Sequence, residues 1–225
     1  MPRRAATPPS DTHRRSERAA RHAALGEPVR LAIVDELTVS DRSPTELTRR
    51  LGITSNLLAH HLDALEAVGL VTRSGSAGDA RRKYVRLERS ALTGLGIAGT
   101  PPRGELLFLC SQNSARSQLA AALWTARSGR PARSAGTHPA PHVHRGAVAA
   151  ARRAGLRLDD ARPQALTEVP AGAQVVTVCD RAHEELEPDP TWWHWSIPDP
   201  VPTGTDAAFD AVVAELELRI AGVLS

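Results

Sequence analysis

The sequence predicts two domains of different class, a small α+β domain followed by an α/β domain, and three observations carry the division. Residues 91–104, ALTGLGIAGTPPRG, contain Gly and Pro but no apolar period, which marks a linker expected to let the halves move. Charge changes sign across it. Residues 1–103 carry 17 Lys+Arg against 11 Asp+Glu and the remainder carries 11 against 14, so the net +3 of this 225-residue chain joins a basic half to an acidic one. The patterning changes too: short capped helices and a hairpin precede the linker, while an apolar strand running straight into a cysteine, a loop and a helix follows it.

Residues 1–18 are Arg-rich, carry Pro and Ser, lack an apolar period, and are expected to form a disordered basic tail. The folded N-terminal domain is expected over residues 19–90. Its helical pattern starts at Ala19, and Glu27-Pro28-Val29-Arg30 opens a second helix whose Leu31, Ile33, Val34 and Leu37 make one buried face. Ser43-Pro44-Thr45-Glu46 supplies an N-cap, a proline at N1 and a glutamate at N3, and Leu51-Gly52 ends that helix. Thr54 caps the next, Ser55 to Val68, in which Leu58, Leu62 and Leu65 face inward while Ser55, Asn56, His60 and His61 lie mostly elsewhere. Two short helices joined by Leu-Gly-Ile-Thr form a helix-turn-helix. Leu70 to Arg73 and Arg81 to Leu87, separated by a Gly/Ser turn at 74–79, form a cationic hairpin, a wing.

The basic balance of this half points to double-stranded DNA. Arg81, Arg82 and Lys83 on the wing suit phosphates and would give salt-dependent affinity, while Thr54, Ser55, Asn56 and His60 or His61 sit where a recognition helix reaches base edges. A solvated face used for protein docking is the competing reading. Adjacent His60 and His61 face different directions on a helix and make a poor metal pair, and His138, His142 and His144 read as loop residues around Pro139 and Pro141. No metal site and no resident cofactor is expected.

The second domain, residues 105–225, opens with ELLFLCSQNSARSQLAAALW. The strand Leu106 to Leu109 runs into Cys110, five loop residues follow, and Arg116 and Ser117 begin an alanine-rich amphipathic helix. A loop of that length can curl round the sulfur with backbone N–H groups pointing inward, and the helix adds its positive end. Ser111, Gln112, Asn113, Ser114, Ala115 and Arg116 thus make a candidate oxyanion cradle, in which Arg116 holds two oxygens with its planar fork. The same field favours thiolate over thiol at Cys110 and makes it a nucleophile, with the Ser117 hydroxyl placed to donate to the sulfur. Asp199, in the Pro-flanked stretch Trp195-Ser-Ile-Pro-Asp199-Pro200, is placed either as general acid for the leaving oxygen or as a turn former. Farther on, the helix near Thr205 buries Phe209, Val212, Val213, Leu216, Ile220 and Val223.

On these residues the second half resembles the low-molecular-weight protein tyrosine phosphatases and the arsenate reductases built on the same fold. Cys110, Asn113, Arg116 and Ser117, the run Ser134-Ala-Gly-Thr137, and Asp199-Pro200 carry the resemblance from about Glu105 onward. It implies a four-stranded parallel sheet with helices on both faces, a covalent cysteinyl intermediate, and Asp199 as proton donor. One departure is Ala115, where the family commonly has a second cysteine. The first half, over about Ala19 to Ser90, resembles the winged helix-turn-helix of ArsR-type repressors, without the cysteines through which such sensors bind arsenite or metal.

Which activity fits turns on Cys179, the second of two cysteines, at the end of the buried strand Val175 to Val178. It looks like the first resolving cysteine of the arsenate reductases; a buried, inert thiol is the alternative. The third cysteine of the thioredoxin-coupled type is missing from Asp180 to Pro188, so an external thiol reductant, a redox protein or a small thiol, would open a Cys110–Cys179 disulfide. Val201 and Pro202 follow Asp199-Pro200 where phosphotyrosine enzymes usually carry tyrosines, and Trp192, Trp193 and Trp195 suit core packing.

The reading is therefore a DNA-binding regulator fused to a cysteine-dependent oxyanion enzyme, foremost an arsenate reductase of arsenic resistance. Its alternatives are a tyrosine phosphatase, or a non-catalytic repressor that senses an oxyanion or its own redox state. Paired recognition helices imply a homodimer. No apolar run approaches the ~20 residues of a membrane helix. Two cysteines at separate strand ends suit a reducing compartment, so a cytoplasmic bacterial protein is expected.

Overall fold

The computed structural model describes residues 11–92, 95, 97, 99, 101, 102 and 104–224. Residues 1–10 of the expected tail, and part of the expected linker, lie outside the described residues. The first helix, α1, runs Asp11–Leu25 and so takes in the segment from 11 to 18 that lacks an apolar period. It packs on the following helices, and Arg21 Nε donates to Val68 O at 3.3 Å. Its tertiary contacts fall in the last turns, at Arg21 and Ala24, while the described side chains from 12 to 20 are exposed.

Helix α2 (Pro28–Val39) starts as the local chemistry dictates, with the Glu27 carboxylate accepting from Val29 N and Arg30 N. Ile33, Val34 and Leu37 are buried, but Leu31 is 39% exposed, so the expected face is one residue too wide. Helix α3 (Pro44–Leu51) carries the complete capping box of Ser43 and Glu46 and ends on Gly52 at φ 66°, a conformation that favours glycine. Helix α4 (Ser55–Ala67) is capped by Thr54. Strands β1 (Val71–Gly75) and β2 (Lys83–Leu87) pair antiparallel as the wing. Leu47, Leu58, Leu62, Leu65, Val71 and Val85 close the small core of this domain.

The second domain is a four-stranded, all-parallel sheet in the order β4-β3-β5-β6, from β3 (Leu106–Cys110), β4 (Ala132–Gly136), β5 (Gln174–Thr177) and β6 (Trp193–His194). Helices α5 (Arg116–Ser128), α6 (Arg145–Arg153), α7 (Asp180–Glu185) and α8 (Asp206–Leu224) complete it. The main core joins Phe108, Leu119, Trp124, Val176, Trp195 and Phe209, with α8 burying the apolar face its spacing foretells. Trp193 and Trp195 are core residues. Cys110 ends β3, an inner strand paired on both sides, so the sulfur is carried by the best-anchored part of the sheet.

The halves are packed together, against the freedom expected from the linker. Residues 40–42 lie between the two sheets: Arg42 pairs backbone with Val85 of β2, and Asp41 N donates to His194 O of β6 at 2.6 Å. Ser40 Oγ accepts from His194 N at 2.7 Å, and Trp195 Nε1 donates to Val39 O at 2.8 Å. Beneath them the buried Asp41 carboxylate accepts from Arg219 Nη1 at 2.9 Å and from Ser196 N at 2.7 Å. Burial alone would raise the pKa of Asp41, but the guanidinium groups of Arg219 and Arg86 outweigh it and hold it below its ordinary value. A charge paired and hydrogen-bonded in this way tolerates burial, and removing either partner would strand the other.

A second seam joins the wing tip to α7. Ser76 Oγ donates to Glu184 Oε1 at 2.6 Å, Ala77 N to Asp180 Oδ2 at 2.7 Å, and Asp79 N to Glu184 Oε2 at 2.7 Å. Among the described residues no helix is long and apolar enough to cross a membrane.

Candidate active site

The cradle is built from the loop between β3 and α5. Its carbonyls are tied outward: Thr137 N donates to Cys110 O, His138 N to Ser111 O, Ala140 N to Gln112 O and His144 N to Ser114 O, at 2.8 to 3.2 Å. With the acceptors committed to the segment 137–144, amides are what the loop can offer an anion. The approach is close enough to require Gly136, since a Cβ there would meet Ser111 O at 2.7 Å and Asn113 N at 2.9 Å. That is the physical content of Ser134-Ala-Gly-Thr137. The N-cap of α5, Ala115, offers no side-chain hydrogen bond, so the first amides of that thirteen-residue helix are not capped by the chain itself.

Asn113 organises the loop from behind. It is fully buried with φ 48°, a left-handed conformation that asparagine tolerates better than most residues. Its Oδ1 accepts from Gln118 Nε2 at 3.0 Å and Gln164 N at 2.8 Å, and its Nδ2 donates to Ser117 Oγ at 2.8 Å. Having accepted that bond, Ser117 is oriented to donate its hydroxyl proton to Cys110 Sγ, 3.0 Å away. Asn113 N donates to the same sulfur at 3.1 Å. Two donors thus stabilise negative charge on sulfur.

Cys110, Arg116, Cys179 and Asp199 line one cleft of about 440 Å³. Ser111, Gln112, Ser114 and Ala115 line it as well, whereas Asn113 and Ser117 support it from beneath. Arg116 is buried, donates through Nη1 to Ile197 O at 3.0 Å, and holds Asp199 Oδ2 at 3.1 Å from Nη2. Asp199 also accepts from Val201 N at 3.1 Å, so acid position and turn former are one arrangement. Cys179 is the N-cap residue of α7, and its sulfur lies 3.4 Å from Ser111 Oγ. Ala77 of the wing tip, His138, Asp180, Arg181 and Val201 complete the lining. Ala77 and Arg181 had no local sequence signal, because they meet across more than one hundred residues of chain.

Under the cleft lies a polar cluster that sequence reasoning missed. Asp180 Oδ1 lies 3.1 Å from His194 Nε2, and Thr177 Oγ1 is 2.9 Å from both His194 Nδ1 and His183 Nδ1, whose rings stack at 4.0 Å. Burial, with the neighbouring His194, lowers the pKa of His183 to about 2. Burial raises and these hydrogen bonds lower the pKa of Asp180, for a net fall to about 2.

On the N-terminal domain, Thr54, Ser55, Asn56 and His60 are exposed, as are Arg81, Arg82 and Lys83. His61 is not. It is buried with Nδ1 3.3 Å from Glu27 Oε2, because position 61 shares the inward face with Leu58, Leu62 and Leu65. His144 caps α6 and stacks on Phe209, and among the described residues no group of His, Cys, Asp and Glu is arranged to hold a metal.

A parallel α/β domain that seats a cysteine between a strand end and a helix start, with an arginine opening the helix and an aspartate above it, is a cysteine-based oxyanion enzyme domain. The model of the low molecular weight phosphotyrosine protein phosphatase family matches residues 105–225, more than half of the chain, and the chain belongs to that family. A helix-turn-helix domain model matches residues 25–74 of the first half. Among solved structures, the tyrosine phosphatase Wzb from Escherichia coli K30 is similar at 22% identity and TM-score 0.46, over 52% of this chain and 93% of that one. An arsenate reductase from Archaeoglobus fulgidus is similar at 27% identity and TM-score 0.42, over 52% and 95%. An ArsR-like transcriptional regulator from Rhodococcus sp. RHA1 is similar at 32% identity and TM-score 0.33, over 36% and 74%. No curated protein matches the chain.

Proposed function

We propose that the second domain is an arsenate reductase and that the first binds DNA as a dimer, making the protein a regulator fused to a resistance enzyme. The observation that carries the reductase reading is the sharing of one cleft by the chain's two thiols, Cys110 and Cys179. Arsenate sits on the loop amides and the Arg116 fork. The Cys110 thiolate attacks arsenic while Asp199 protonates the departing oxygen, which leaves as water and gives a cysteine–arsenate(V) adduct. Cys179, as thiolate, then attacks Cys110 Sγ. The S–S bond forms, the S–As bonding pair goes to arsenic, As(V) becomes As(III), and arsenite leaves. An external thiol, protein or small molecule, reduces the disulfide; no resident cofactor takes part.

Ser117 and Asn113 donate to the sulfur of Cys110 and orient it for attack on arsenic. In a phosphatase, water would attack the adduct and Cys179 would be idle. Thr54, Ser55, Asn56 and His60 are exposed and take the role of base contacts in this reading, and exposed Arg81, Arg82 and Lys83 that of phosphate contacts. The test is to supply arsenate with a thiol system and, separately, an aryl phosphate. The reading predicts arsenite release by the wild type and none by Cys110→Ser; aryl phosphate hydrolysis without arsenite release would contradict it.

A further inference from the structure

The wing tip makes a contact that neither activity uses. The Ser76 hydroxyl and the Ala77 and Asp79 amides converge on two carboxylates of α7, Asp180 and Glu184, and Tyr84 OH joins them at 3.2 Å from Glu184 Oε1. Gly78 lies so close that an added Cβ would clash with Glu184 Oε2 and stand 3.1 Å from the Arg181 backbone. Exposed Arg81, Arg82 and Lys83 follow on the same hairpin, with Asp79 partly offsetting the first two. Hydroxyl and amide donors gathered at the tip of a cationic hairpin recognise a singly charged group with two oxygens, and a DNA phosphodiester is that chemistry.

We propose that the wing tip is a phosphodiester-binding surface which α7 occupies as an internal competitor, so that the wing docks either beside Cys179 or on the DNA backbone. This rests on the DNA-binding reading of the first domain. The competition reaches the enzyme because Asp180 directly follows Cys179, and because Ala77 lines the same cleft as both thiols. DNA that draws the wing away removes part of the wall of that cleft and one hydrogen bond from Asp180, the first residue of α7. By linkage, whatever shifts α7 at Cys179 shifts the affinity for DNA in equal measure.

The experiment measures binding of a labelled duplex of about 20 base pairs, generic in sequence and at low salt, by fluorescence anisotropy. Glu184→Ala removes the carboxylate that holds Ser76, Asp79 and Tyr84, and should tighten binding about tenfold, a shift of about 1.4 kcal/mol. Glu185→Ala changes net charge equally on the same helix without a wing bond, and should change affinity less than twofold, about 0.4 kcal/mol. Gly78→Leu pushes the tip off α7 with no change of charge and should tighten binding as Glu184→Ala does, with faster hydrogen exchange at the amides of Ala77 and Asp79. Equal affinities for Glu184→Ala and Glu185→Ala, or weaker binding by Gly78→Leu despite fast exchange, would overturn the proposal. Absence of binding by every form would instead remove the DNA-binding reading beneath it.

Discussion

Cys110 and Cys179 are equally buried, at 3% exposure each, yet their surroundings differ in kind. Cys110 ends an inner strand, receives the Asn113 amide and the Ser117 hydroxyl, and faces a guanidinium across the cleft. Cys179 has one hydroxyl at 3.4 Å and is the N-cap residue of a six-residue helix that also holds the wing tip. Burial therefore says little about a thiol's role, and the donors around it say much. The first sulfur is surrounded by donors suited to negative charge; the second sits at the start of a short helix beside a single hydroxyl.

The sharpest way to break this contrast is to remove each sulfur in turn. Cys110→Ser should lower both arsenate reduction and aryl phosphate hydrolysis by on the order of 10⁴-fold or more, read as steady-state turnover. Cys179→Ala should stop arsenate reduction after one adduct per chain while leaving aryl phosphate hydrolysis unchanged, and continued arsenite release would erase the distinction. Asp199→Asn, which keeps the bond to Arg116 but cannot donate the same proton, should cost about 10²–10⁴-fold in the step that expels oxygen. Gly136→Ala should cost about 10²-fold, because the Cys110 loop must move off the new methyl group and the sulfur is displaced with it.

The smallest expected effect probes the floor beneath Cys179. The unfolded His183 takes up a proton near pH 6.5, while burial and the neighbouring His194 hold the folded value at about 2. Between these limits the unfolded state binds more protons, so stability is complete above pH 6.5 and is lost progressively on acidification. Melting temperature should fall from pH 7 toward pH 5, and His183→Asn should flatten that slope. An unchanged slope would mean that the ring is accessible to solvent.

Much of this site was legible in the sequence because it is local. Cys110 to Ser117 are contiguous, the strand before them is an unbroken apolar run, and the caps at Ser43 and Thr54 act within three residues. The structure adds what distance hides. Strand β6 is two residues long and β4 is ARSAG, so neither shows an apolar pattern. His61 looks like a surface residue until Glu27 is brought beneath it. The expected mobility of the halves disregarded residues 40–42, whose backbone is shared between the wing and β6. The role of Asn113 was visible as a motif position but not as a geometry, since its partner Gln164 lies 51 residues away.

The claim on which the rest depends is that the two sulfurs end the reaction joined to each other. A single turnover with arsenate and no external reductant, followed by titration of free thiols and of arsenite, tests it directly. The account predicts one arsenite released per chain, with both Cys110 and Cys179 lost to titration together; arsenite release that leaves Cys179 free would contradict it.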